Sequence, residues 1–92
     1  MPSKPKRYWF TLAYFTAEGQ PHPAHRATNF TQVYGTLAVH TNHLKRVMTS
    51  SLLRRGAYAA VLWPGQLSER DALQSDVRPL LYVHEGGWVE KL

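Results

Sequence analysis

The segment Arg7–Thr16, RYWFTLAYFT, restricts the fold more than any other part of this chain. It is dense in aromatic and β-favouring residues and reads as a strand. Side chains alternate across a strand, so Tyr8, Phe10, Leu12 and Tyr14 share one face and Trp9, Thr11, Ala13 and Phe15 the other. Both faces are largely apolar. Such a strand needs cover on both sides and belongs in the interior of a sheet. With 92 residues, the chain has material for one domain and one modest core. Five Tyr, three Phe and three Trp offset the small size, because each ring can bury a large area.

Around this strand the remaining elements can be placed. The polar stretch MPSKPK is expected to be a mobile basic tail over residues 1–6, leaving residues 7–92 as the folded domain. AEGQPHPAHRAT, with Gly19, Pro21 and Pro23, is a loop and a candidate functional segment. In NFTQVYGTLAVHTNHLKRVMTSSLLRRG, a step of about 100° per residue gathers the apolar positions. Phe30, Val33, Tyr34, Leu37, Leu44, Val47, Met48 and Leu52 fall within an arc of about 140°. Asn42, His43, Arg46, Thr49, Ser50 and Arg54 lie opposite. Asn29 and Gln32 offer a loose capping box, and Arg54, Arg55 and Gly56 a cationic, glycine-terminated end. These marks predict one long amphipathic helix. Val39 and Leu53 fall on its polar side, and Gly35, Val39, Thr41 and Asn42 are mediocre helix formers. The alternative is a strand over Gln32–His40, a turn at Thr41 and Asn42, and a short helix over His43–Arg55.

Ala57–Trp63 reads as another strand, closed by Pro64 and Gly65. QLSERDALQSD holds a helical turn begun by Ser68. Leu80–His84 and Trp88–Lys91 form a hairpin across Gly86 and Gly87, with Pro79 at its start. The order predicts an α+β fold: a single small domain with a mixed four-stranded sheet in β-α-β-β-β order and one long helix packed on one face. The first strand–helix–strand unit is expected to be a right-handed crossover between parallel strands.

The functional reading begins with charge. Net charge is +5, unevenly spread. Residues 1–56 carry eight cations against the single acid Glu18, whereas residues 57–92 carry three cations against five acids. That asymmetry points to a polyanion or an acidic partner for the first half. No cysteine is present, which argues against a disulfide-stapled secreted domain and a thiolate zinc site. The basic-then-apolar start resembles a signal peptide. Its apolar run, however, is short, interrupted by Thr11 and followed by no small-residue cleavage pattern. No run is long enough to span a membrane, so the expected compartment is cytoplasmic, and the match of Asn29–Thr31 to a glycosylation sequon has no weight there.

Two H-x-x-H pairs, His22 with His25 and His40 with His43, have a metal-binding spacing. Zinc needs a third ligand, and the one acid in the first half is remote in sequence from both, so no metal or other cofactor is expected. A metal-independent ribonuclease would need a histidine acid–base pair beside cations. His40, His43, Lys45 and Arg46 supply those types, as do His22, His25 and Arg26, but nothing further constrains them. No nucleophile elbow, phosphate-binding loop or dinucleotide fingerprint occurs. A non-enzymatic binding module is the expectation.

Basic residues interleaved with rings are the best-supported signal, as in KPKRYWF. Cations neutralise phosphates, and exposed rings stack on unpaired bases. The candidate binding residues are Lys4, Lys6, Arg7, Arg26, His43, Lys45, Arg46, Arg54 and Arg55. Arg46 is the best single candidate, since Lys45 lies nearer the apolar arc. The expected partner is nucleic acid or a nucleoprotein complex. The alternative is a protein–protein inhibitor or accessory subunit, of the kind that phages and plasmids direct at host complexes. If one sheet face is left uncovered, rings such as Trp9, Phe15 or Trp88 form an apolar patch that marks a partner surface.

Overall fold

A computed structural model of the chain describes residues 6–22, 30–74 and 76–92. The aromatic segment forms strand β1 (Tyr8–Phe15), followed by the two-residue β2 (Pro21–His22) and by β3 (Phe30–Gly35). Helix α1 (Leu37–Thr49) and the single turn α2 (Ser51–Arg54) lead into β4 (Ala59–Pro64). Helix α3 (Glu69–Gln74) precedes the hairpin of β5 (Leu81–His84) and β6 (Trp88–Lys91).

β1 lies inside the sheet, as its two apolar faces require. β4 pairs along one edge, while β3 and then β2 pair along the other. The sheet continues through β5 to β6, and every neighbouring pair is antiparallel. The expectation of a mixed four-stranded sheet is thereby corrected to six antiparallel-paired strands. The parallel crossover is corrected too. β1 and β4 run antiparallel because β3 reverses the chain before the helix begins. The crossover through α1 instead joins β3 to β4, which point the same way on either side of β1.

The single long helix from Asn29 to Arg55 does not form, and the strand-then-helix alternative is nearer the structure, though its turn at Thr41 and Asn42 is helical. Asn29 lies outside the described residues, and Gln32 sits in β3. The sequence Gly35-Thr36 explains the change. Gly35 adopts a φ of 149°, which an L-residue rarely takes, and Thr36 is extended. The Thr36 hydroxyl accepts from the Val39 N–H at 3.1 Å, so the helix cap lies here. A second interruption falls at Ser50, whose extended backbone ends α1 and whose hydroxyl accepts from the Leu53 N–H at 3.2 Å to start α2. Arg55 (φ 50°) and Gly56 (φ 84°) then turn left-handed and stop the helix.

The core has two layers. On one face, Leu44, Val47 and Met48 of α1 pack on Phe10, Leu12 and Tyr14 of β1 and on Leu62, Leu81 and Val83. These three residues are the working part of the predicted apolar arc, whereas Leu52, at 82% exposed, is outside the core. On the other face, Ala72 of α3 packs with Ala13, Val61 and Trp63. Thr11, fully buried, anchors this second layer. Its Oγ1 accepts from the Leu67 N–H (2.8 Å) and lies within bonding distance of Gly65 O (2.9 Å) and Gln32 Oε1 (3.1 Å). Gln32 Nε2 in turn donates to Leu67 O (2.7 Å). This polar knot ties the strand pair to the loop after β4 and keeps each buried group partnered.

Candidate functional site

The break at Ser50 determines where the basic residues go. On a continuous helix Arg46 and Arg54 would stand about 12 Å apart along the axis. In the folded chain the helix breaks at Ser50, and His43, Arg46, Arg54 and Arg55 line one cleft of about 200 Å³ with Tyr14, Val47 and Leu53. Four of the nine candidate binding residues therefore meet at a single concave site. His43 and Arg46 project from α1 one turn apart, with Arg46 Nη2 3.3 Å from His43 Nδ1. Arg54 is half-buried. It donates to Ala57 O (3.1 Å) and pairs with Glu85 Oε1 of the β5–β6 turn (2.9 Å). Arg55 is exposed at the left-handed stop.

Tyr14 forms the inner wall. It is 5% exposed, and burial pushes its phenol above the ordinary value. At neutral pH it is therefore an uncharged donor or acceptor rather than an anion facing the arginines. Behind it, His22 lies opposite Tyr14 in the β1–β2 pairing and beneath Gly56, with a buried, unpartnered Nδ1.

The other described candidates do not line the cleft. Lys4 and Arg26 lie outside the described residues. Lys6 and Arg7 are exposed before β1, about 23–26 Å from Tyr14 at the usual strand rise. Lys45 is exposed on α1 but does not line the cleft. The H-x-x-H pair on α1 diverges. His40 packs edge-on against Phe10 with a buried, unpartnered Nε2, while His43 is exposed at the cleft. His25 of the other pair lies outside the described residues. Among the described residues no group of three or more His, Asp or Glu side chains is placed to hold a metal. No helix among them is long and apolar enough to cross a membrane.

A second surface lies on the sheet face opposite α1. Strand alternation places Trp9, Tyr34, Tyr82, His84 and Trp88 there, and α3 covers only the middle. Trp9 packs on Tyr34 (ring centroids 5.2 Å apart) and Trp88 on His84 (4.8 Å). Their exposure is substantial, at 44% for Trp9, 54% for Tyr34 and 62% for Trp88. Tyr8 is exposed as well, so of the three rings beside the basic tail only Phe10 is core.

Two cleft residues were not legible as such in the sequence. Tyr14 reads only as a strand residue, and Glu85, which borders the cleft through Arg54, reads as part of a turn or as an acid that could join the histidines only through the fold. The Ser50 break did leave a signal, a run of Thr49, Ser50 and Ser51 that suits a cap better than a helix interior. No family model, curated protein or solved structure matches this chain.

Proposed function

We propose that this protein is a small non-enzymatic binding module that engages nucleic acid, or a nucleoprotein complex, through the basic cleft at the α1–α2 break. The observation that carries this reading is the convergence of His43, Arg46, Arg54 and Arg55 on one concave surface. Guanidinium forks match phosphate oxygens in geometry and keep their charge at any physiological pH. The stretch from Thr36 to Gly56 holds no acid, and among the described residues Glu85 is the one carboxylate paired with a cleft arginine. The test is fluorescence anisotropy with labelled RNA and DNA, single-stranded and duplex, over a salt series. Affinity should fall steeply as salt rises. Arg46→Glu should lose about tenfold or more, with a much smaller loss for Lys91→Glu on β6. Absence of binding to every oligonucleotide at low salt overturns the proposal, as do equal losses in the two variants.

A protein partner is the second reading, favoured by the exposed rings of Trp9, Tyr34 and Trp88. Apolar surface of that kind commonly marks association. A complex from host lysate that survives nuclease and is lost in Trp88→Ala supports it. Recovery of nucleic acid alone counts against it.

A further inference from the structure

We propose that the cleft receives one terminal phosphomonoester, the group carried by a phosphorylated nucleic-acid end, in preference to the internal diesters of the backbone. This inference rests on the nucleic-acid reading above and narrows it to a class of ligand. Size is the first argument. At about 200 Å³ the cleft falls below the roughly 300–1,000 Å³ that holds a whole small ligand. At about 30 Å³ per liquid water it has room for an anionic group and its nearest solvent, while a sugar and base would remain outside. The buried ring of Tyr14 forms part of the wall. A terminal group can enter such a recess end-on, whereas a diester must lead chain out in two directions.

Charge is the second argument. Three guanidinium groups line the cleft, and the Glu85 carboxylate on Arg54 offsets one of them. Among the described residues this leaves Arg46 and Arg55 without an acidic partner. A phosphomonoester carries about −1.5 to −2 at neutral pH, with a second pKa near 6. A backbone diester carries a single negative charge. The third argument is the lining. Val47 and Leu53 stand among the cations, so a seated phosphate would exchange part of its water for fixed donors in a less polar setting.

Three oligonucleotides of one sequence distinguish the outcomes: 5′-phosphorylated, 3′-phosphorylated and hydroxyl at both ends. Binding of each to the full chain is read by anisotropy, with inorganic phosphate as competitor. One phosphorylated end should bind about tenfold or more tighter than the hydroxyl oligonucleotide. The preference should vanish in Arg46→Gln and in Arg55→Asn, the latter chosen because asparagine tolerates the left-handed backbone at that position. Thermal unfolding of each variant establishes that it folds, and either variant alone suffices. Equal affinity for all three oligonucleotides overturns the inference and leaves nucleic-acid binding standing. Failure of every oligonucleotide to bind overturns both. Thermal protection by inorganic phosphate without any oligonucleotide binding assigns the cleft to a free phosphate, and the nucleic-acid end is then wrong.

Discussion

Arg54 faces in two directions. One guanidinium nitrogen holds Ala57 O, the other meets Glu85, and the group still borders the cleft. Glu85→Gln removes the carboxylate without removing the arginine. Affinity of the cleft for a phosphate-bearing ligand should rise severalfold in anisotropy titrations. Stability in urea should fall by less than about 1 kcal/mol, because Glu85 is about half exposed and its ion pair is screened by solvent. An unchanged affinity would show that Glu85 does not tune the site. Tyr14 makes a different prediction. Burial raises its folded pKa above the ordinary value of 10.0, so protons bind the folded state more tightly than the unfolded one. The stability this contributes is fully present below about pH 10 and is lost as pH rises through the folded value. Tyr14→Phe should flatten the alkaline fall in the urea midpoint, and an unchanged slope would contradict it. At this scale the sequence displayed the cations but not their company. His43 and Arg46 are one turn apart and visibly share a face, whereas Glu85 reaches Arg54 only through the fold.

Between elements, the β5–β6 turn presses directly on the end of α1. The Gly86 N–H donates to Met48 O at 3.1 Å, and the Glu85 N–H to Tyr58 O at 2.9 Å. A Cβ on Gly87 would collide with Thr49 Oγ1 and lie 3.2 Å from Lys45 O, whereas one on Gly86 would meet nothing within 4 Å. Both glycines have positive φ (91° and 85°). Gly86→Ala should therefore cost only the conformational penalty, about 1–2 kcal/mol, and Gly87→Ala clearly more. Urea unfolding of the pair decides it, and equal losses would mean the turn does not press on α1. The hairpin, the strand β1 and the helix capped by Ser68 were all legible, because each carries its signal within a few residues. The Ser68 hydroxyl accepts from the Asp71 N–H at 3.1 Å, as a cap should. β3 was harder to read. Phe30, Val33, Tyr34 and Leu37 follow helical spacing and are also strand-favouring types, so periodicity alone misleads there. The local break at Gly35 and Thr36 decides the outcome.

Across the whole molecule, the sheet separates two kinds of surface. α1 and α2 present Lys45, Arg46, Arg54 and Arg55 on one side, with Glu85 on Arg54, while α3, with Glu69, Arg70 and Asp71, packs on the other. The charge imbalance along the sequence thus becomes an imbalance between faces. That outcome follows from topology, which the sequence did not reveal: the extra reversal at β3 converts an expected parallel unit into strands that flank β1. The central place of β1 also has a temporal side. Phe10 pairs with Val33 on one edge and with Pro64 on the other, so its second partner is synthesised more than fifty residues later. At roughly 5–20 residues per second, translation leaves that edge bare for about 3–10 s. β3 can cover one edge early, since Val33 follows Phe10 closely in the sequence, but the other edge stays open until β4 is made. The architecture that makes β1 the best-protected strand of the finished protein makes it the most aggregation-prone segment of the unfinished one.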